Sequence, residues 1–203
     1  IDVCMDSNTI NTVDTLKKVI HMQTGDFAGA MSLDSFQVDA LEEAVKVYPG
    51  RPIINSVSME EAEPGLLKID AVIQATQQHG PIYVGLCTGP KGPGATAAEK
   101  LDLANQIIRV AGDSYGISPE RLFIDVNVFP IGSESVEGMN FAVETLEAIG
   151  QLKAQHPTVN TTLGVGNLTN GLAKKPYMRK VLTSVFLDEA RKRGLDAAII
   201  NPN

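Results

Sequence analysis

The sequence predicts an α/β protein of the (βα)8 TIM-barrel class, represented by seven strands. Short β-rich runs alternate with long helical patterns along the chain, which is typical of parallel strands joined by crossover helices. The strand segments are apolar at nearly every position, as expected for a sheet covered on both faces. Almost every predicted strand also ends at a polar side chain, and a barrel brings all such ends to one mouth. An open doubly wound sheet would instead spread them along an edge.

The elements follow from the spacing of apolar residues. Seven strands are predicted at 1–5, 30–33, 52–55, 82–87, 122–126, 161–165 and 197–200. Six helices are predicted between them at 12–22, 37–48, 66–79, 97–115, 136–155 and 176–193. Since seven strands cannot complete the usual eight, we predict that the first barrel strand is missing and belongs before residue 1. The interpretation is one barrel domain over residues 1–203, truncated at its N-terminus.

Composition excludes several classes of protein. The net charge of -7 and the absence of a Lys/Arg cluster argue against nucleic-acid binding, which depends on neutralising phosphates. No apolar run approaches the ~18 residues of a membrane span. The two cysteines, Cys4 and Cys87, lack CxxC spacing, so neither a disulfide framework nor a zinc ribbon is predicted. We expect a cytoplasmic protein with a small-molecule or protein partner.

Motifs for nucleotide, metal and acyl chemistry are incomplete. The Gly-rich segment 89–96 lacks the GK[ST] ending of a P-loop, and Thr169 stands where a dinucleotide fingerprint after Gly164-Val-Gly166 needs glycine. No GxSxG turn is present. The histidines lie near predicted helix ends, away from the strand ends, so we expect no metal site: His21, His79 and His156.

The polar strand ends are the candidate site. Each also fits a helix N-cap, and Asp34, followed by Ser35 and a helix, is the most cap-like. Long loops separate Asp125 and Asn167 from the next helices, which argues against capping there. Carboxylates accept two parallel N–H donors and amides both donate and accept, so a flat amino-pyrimidinone edge fits the set: Asp6, Asp34, Asn55, Thr88, Asp125, Asn167 and Asn201.

Six segments of the chain resemble the pterin-binding methyltransferases, a family that includes the folate module of cobalamin-dependent methionine synthase and the methyltetrahydrofolate:corrinoid protein methyltransferases. The segments occur in the family's order along essentially the whole chain: MSLDS (31–35), IINSVS (53–58), FIDVNVFP (123–130), GVGNLT (164–169), PYMR (176–179) and GLDAA (194–198).

The resemblance implies a βα barrel that transfers the N5-methyl group of methyltetrahydrofolate to the Co(I) corrinoid, or cobalamin, of a partner protein or domain. Asn167 matches the residue that contacts N5 and, with Asp125, is implied in catalysis. The first segment departs from the family's Asp-Val-Asn pattern, because Cys4 stands where Asn is usual. The family's opening strand, which adds a Glu and an Asn to the site, is absent. The implied pterin ligands are Asp2, Asp6, Asp34, Asn55, Asp125, Asn167 and Arg179.

Two other functions are compatible with this pattern. Dihydropteroate synthase shares the barrel and the pterin contacts but usually has a Ser-x-His anion site at the final strand, where this chain reads Ile199-Ile-Asn-Pro202. A non-catalytic folate-binding module is the other alternative. The sequence leaves the oligomeric state open, and a homodimer is one of the states it allows.

Overall fold

Seven parallel strands form one sheet in which each strand lies beside its neighbour in sequence. The computed structural model describes residues 1–26, 29–134 and 138–201. The strands are β1 (Asp2–Cys4), β2 (Ser32–Asp34), β3 (Ile53–Val57), β4 (Ile82–Leu86), β5 (Leu122–Asp125), β6 (Asn160–Gly164) and β7 (Ala197–Ile199).

Each pair of consecutive strands is joined through a helix, as parallel pairing requires. The helices are α1 (Thr12–Asp26), α2 (Val38–Val47), α3 (Lys68–Thr76), α4 (Ala97–Arg109), α5 (Phe141–Gln155) and α6 (Pro176–Lys192). No helix in the described ranges has the length and apolar character needed to cross a membrane.

Two helix starts differ from the prediction by more than one residue. Leu66–Leu67 pairs with Glu61–Glu63 in a short antiparallel hairpin, so α3 begins later than predicted. The predicted start of the fifth helix at Val136 falls outside the described residues. The helix begins at Phe141, where the Asn140 side chain accepts the N–H groups of Ala142 and Val143, an N-cap that fixes the first turn.

The sheet curves into a nearly closed barrel. A cavity of about 610 Å³ inside it is lined by residues of all seven strands, including Asp2 of β1 and Ala197 of β7. In the described part of the chain no hydrogen-bonded ladder joins β1 to β7. The two edge strands therefore enclose one interior without pairing, and the predicted barrel class is confirmed.

Alternation along the strands separates two environments. Leu33, Ile54, Tyr83 and Ile124 are fully buried under the helices, and burial of such a side chain contributes roughly 1.5–3 kcal/mol. The intervening residues face the barrel interior, where Ser32, Ile53, Val84, Phe123 and Thr162 line the cavity. On β2, β3 and β5, the next inward positions toward the carboxyl ends of the strands carry polar residues of the candidate site.

Candidate functional site

The carboxyl ends of the first three strands carry a row of polar side chains. Cys4, Asp34 and Asn55 are register partners across β1, β2 and β3. They lie two residues beyond Asp2, Ser32 and Ile53, which line the cavity, and residues two apart in a strand face the same way. The row therefore lies at the mouth of the barrel interior.

Asp125, the last residue of β5, is held by backbone donors. It is 8% exposed, and its Oδ1 accepts the N–H of Asn127 at 2.8 Å while Oδ2 accepts the N–H of Gly164 at 3.3 Å. Burial raises the pKa of Asp125 to about 6, against the lowering effect of these N–H groups and of the Lys100 charge. Each carboxylate oxygen retains acceptor capacity for a ligand.

Asp34 belongs to a cluster of carboxyl groups. Burial, followed by repulsion from Asp2 and Asp6, raises its pKa to about 6, and a hydrogen bond from the Cys4 thiol opposes the increase. Asp2 Oδ1 accepts the Asn55 Nδ2 at 3.3 Å, which orients that amide. Like charges this close favour a proton on one member of the cluster.

Asp6 ties two loops of the mouth together. Its Oδ1 accepts the Ser35 hydroxyl at 2.7 Å and its Oδ2 accepts the Phe36 N–H at 2.6 Å. The N-cap position of α2 is Gln37, with no side-chain cap, so the capping interpretation of Asp34 is wrong. Ser35 Oγ accepts the Gln37 N–H instead.

Asn167 lies in the 3₁₀ turn Val165–Thr169 that follows β6 directly. It is exposed, and its Oδ1 accepts Asn170 Nδ2 at 3.3 Å. A Cβ added to Gly164 would lie 3.2 Å from Asn167 Nδ2. Since the Gly164 N–H binds Asp125, the amide of Asn167 lies close to the Asp125 site.

Arg179 is placed at the same end of the barrel by the first turn of α6. It is exposed and lines a second cavity of about 380 Å³ together with Gly166 and Thr169 of the Asn167 turn. The structure thus brings six of the seven candidate residues to one end of the barrel, and Asp2 lies one step deeper, where it lines the interior cavity and accepts the Asn55 amide. Asp2 and Asp6 contact other protein groups there, whereas Asn167 and Arg179 are open to solvent.

Two residues beside Asp125 were missed by sequence reasoning. Lys100 of α4 is fully buried, and Asn127 has a left-handed backbone with φ of 62°. Lysine is almost always a surface residue, so its residue type alone does not indicate a buried position. The signal was its spacing, because Lys100 lies on the same stripe as the buried residues Ala97, Ala104 and Ile107.

The chemistry of the mouth is that of hydrogen bonding. Among residues 1–26, 29–134 and 138–201, no three His, Cys, Asp or Glu side chains are grouped to hold a metal ion. Carboxylates and amides converge instead, flanked by the exposed guanidinium of Arg179. Fold and site together define a βα barrel suited to a flat, polar small molecule at its carboxyl end.

The match to known families specifies this class further. The family model of pterin binding enzymes matches residues 1–201, and the chain belongs to that family. Methionine synthase of Mycobacterium leprae (strain TN) is 31% identical over 201 residues, which are 99% of this chain and 16% of that protein. Methionine synthase of Mycobacterium tuberculosis is also 31% identical, with 17% of its length covered. The chain spans about a sixth of these relatives.

Solved structures of dihydropteroate synthase share the fold. The Yersinia pestis enzyme with a pterine-sulfa conjugate has a TM-score of 0.67 at 15% identity, covering 97% of this chain and 74% of that one. The Xanthomonas albilineans enzyme in complex with 7,8-dihydropteroate has a TM-score of 0.62 at 18% identity, covering 97% and 71%. Identities this low establish the barrel architecture alone.

Proposed function

We propose that this protein binds methyltetrahydrofolate at the barrel mouth and transfers its N5-methyl group to the Co(I) corrinoid of a partner protein or domain. The observation that carries the proposal is the buried Asp125 carboxylate, fixed by two backbone N–H groups beside the Asn167 turn. The similarity to two methionine synthases over nearly the whole chain supports methyl transfer as the reaction.

Recognition of the pterin follows from the row of strand-end side chains. The amino-pyrimidinone edge of a pterin offers adjacent N–H donors, and an ionised carboxylate accepts two of them in parallel. Asp125 and Asp34 are the carboxylates for this role. Asn55 supplies a donor and an acceptor, and its bond to Asp2 holds the amide in place. Apolar side chains such as Val84 and Phe123 line part of the interior beneath the row, and a flat ring can pack against them.

Transfer requires a better leaving group at N5. A tertiary amine leaves poorly, so N5 must gain positive charge through protonation or strong hydrogen bonding. Asn167 is the residue to orient and stabilise this nitrogen. A neutral amide supplies no net proton, and we therefore assign proton delivery to water. The negative field of Asp34 and Asp125 favours the cation.

The methyl acceptor is a cob(I)amide nucleophile, which receives the methyl group as N5 keeps the bonding electron pair. It must approach the open mouth, where Asn167 is exposed. The cations beside the mouth, Lys174, Lys175 and Arg179, can meet either the folate carboxylates or an acidic partner surface. Arg179 has the stronger case because it lines the cavity next to the Asn167 turn.

Dihydropteroate synthase and a folate-binding module without turnover are the alternatives. The synthase is an alternative because its structures share the barrel fold. The end of β7, however, reads Ile199, Ile200 and Asn201, without the histidine of an anion site. The side chains of Ile199 and Ile200 have no hydrogen-bond donor and cannot bind a diphosphate.

The test is a methyl-transfer assay. The protein is mixed anaerobically with methyltetrahydrofolate and cob(I)alamin, and the loss of Co(I) absorbance is followed with tetrahydrofolate release. We expect both to proceed at equal rates. Folate binding without Co(I) loss would favour the non-catalytic module. Formation of dihydropteroate from its diphosphate precursor and p-aminobenzoate would favour the synthase.

A further inference from the structure

Lys100 is a buried cation with neutral contacts. Its Nζ donates to the carbonyl oxygens of Val126 at 2.6 Å and Asn127 at 3.0 Å. The same ammonium lies 4.7 Å from the centre of the Phe129 ring, within cation–π range. Burying a charge is unfavourable unless its surroundings compensate for lost water. The usual role of a lysine, solvation of the protein surface, therefore does not explain why Lys100 is buried.

The two carbonyls belong to the turn that follows Asp125. Asn127 adopts a left-handed backbone, which residues with a Cβ rarely take. Its Nδ2 donates to the Cys87 carbonyl at 2.7 Å, and its own carbonyl accepts the Thr145 hydroxyl at 3.0 Å. The Asn127 N–H donates to Asp125 Oδ1. The unusual conformation is thus held from β4, α4 and α5, and it directs one N–H at the carboxylate.

We propose that Lys100 is a positioning residue of the pterin site: its ammonium fixes the Val126 and Asn127 carbonyls, and the turn so held orients the Asp125 carboxylate toward the ligand. The inference rests on the proposed pterin-binding function. It assigns Lys100 no contact with the folate itself.

The charge of Lys100 adds an electrostatic effect to this geometry. Burial lowers its pKa to about 8, which leaves it largely protonated at pH 7. The titratable groups that face it are Cys87 after β4, Asp125 on β5, Glu144 on α5 and Glu99 on α4. Its charge opposes the effect of burial on the pKa of Asp125. Lys100 therefore favours the ionised carboxylate, the form that accepts two N–H donors.

The test measures the Kd of methyltetrahydrofolate between pH 5.5 and 8 for the unaltered protein and for Lys100→Met. We expect the variant to bind about tenfold more weakly at pH 7, a loss typical of one charged hydrogen bond. We also expect its loss of affinity on acidification to begin at higher pH. Without the Lys100 charge the pKa of Asp125 is higher, so the carboxylate takes up its proton at a higher pH. A Kd within twofold of the unaltered protein and an unmoved pH profile would overturn the inference.

Matched variants separate positioning from general damage to the fold. Lys153→Met removes a lysine that also donates to a carbonyl, that of Val159 at 3.0 Å, and should leave the pH profile unchanged. Lys100→Arg keeps the charge and should restore the profile. If Lys100→Met does not fold, Lys100→Gln carries the same expectation. An unaltered protein that binds no folate would contradict the proposed function instead.

Discussion

At the scale of single residues, burial raises the pKa of two carboxyl groups of the mouth to a similar value, while their neighbours act in different directions. Burial raises the pKa of Asp125 to about 6, although two backbone N–H groups and Lys100 lower it. Burial also raises that of Asp34 to about 6, but the neighbouring Asp2 and Asp6 carboxylates add to the increase. A ligand with N–H donors lowers the pKa of both carboxyl groups, because it hydrogen-bonds their charged form.

Asp34→Asn should stabilise the ligand-free protein at pH 7. The folded pKa of about 6 exceeds the ordinary value of 3.8, so the folded state binds more protons, and stability falls as pH rises from about 4 through 6. The amide cannot ionise. We expect the free energy of unfolding at pH 7 to rise by about 1 kcal/mol in urea titrations, and the difference between pH 5 and pH 7 to shrink. Asp102→Asn, on the exposed side of α4, is the control. A drop in stability at pH 7 would contradict the prediction.

Asp125→Ala should reduce affinity for the pterin. The variant loses a carboxylate aimed at the ligand and leaves the N–H groups of Asn127 and Gly164 without their acceptor. We expect the Kd of methyltetrahydrofolate, measured by calorimetry, to rise at least about tenfold, since a hydrogen bond to a charged group contributes roughly 1.5–3 kcal/mol. An unchanged Kd would remove Asp125 from the pterin site.

Asn167→Ala should slow methyl transfer far more than it weakens binding. The amide is assigned to the charged N5 that develops during transfer, and a donor or acceptor aimed at transition-state charge acts mainly on kcat, by a factor of about 100 to 1,000. Stopped-flow loss of Co(I) absorbance and the folate Kd are measured together. The control is Asn160→Ala, at the amino end of β6, the strand that precedes the Asn167 turn; the Asn160 amide donates to the Glu120 carbonyl there. Equal rates in the Asn167 variant and the unaltered protein would exclude the assigned role.

At the scale of elements, the approach of α4 to β4 depends on a missing side chain. A Cβ at Gly85 would lie 2.7 Å from Ile107 Cγ2 and 2.9 Å from Ile124 Cδ1. We expect Gly85→Ala to lower the free energy of unfolding by about 1–3 kcal/mol, the usual cost of overpacking. Gly150→Ala in α5 has no atom within 4 Å of the added Cβ and should be neutral or stabilising by up to about 1 kcal/mol. Equal urea midpoints for the two variants would show that the sheet yields at Gly85.

The strands were predictable and two helix starts were not. Short, nearly continuous apolar runs located all seven strands, because a strand that is covered on both faces has few polar positions. Leu66 and Leu67 fit a helical pattern, but pairing with Glu61–Glu63 overrides it. At α5 the apolar pattern began before Asn140, at residue 136. The capping bonds of Asn140 set the start of the helix at Phe141.

The site was predictable only where strand direction determines it. Asp34, Asn55 and Asp125 end strands, so parallel order alone brings them to one mouth. Lys100 reaches the site from a helix, and the left-handed Asn127 depends on contacts from three other elements. Such contacts join residues distant in sequence, and no local pattern records them.

At the scale of the whole molecule, ligand binding should stabilise the fold. The interior cavity of about 610 Å³ lies between strands that do not close their ladder in the described residues, and a pterin at the mouth contacts several of them at once. We expect methyltetrahydrofolate at 100 times its Kd to raise the free energy of unfolding by about 2.7 kcal/mol, seen as a higher urea midpoint. The same concentration of methyltetrahydrofolate should raise the free energy of unfolding of Asp125→Ala by at most about 1.4 kcal/mol, because a tenfold higher Kd leaves the ligand at only about 10 times Kd. An equal increase in both proteins would place binding elsewhere.

The order of the strands has a consequence for how the chain folds. Each strand pairs with the one before it in sequence, so the contacts that build the sheet span only one βα unit at a time. Short loop closures are entropically less costly than long ones, and chains rich in local contacts fold faster. The sheet can therefore grow unit by unit as the ribosome releases the chain, with β1 and β2 paired before β7 is synthesised. Only the approach of β1 to β7 around the interior must await the synthesis of β7.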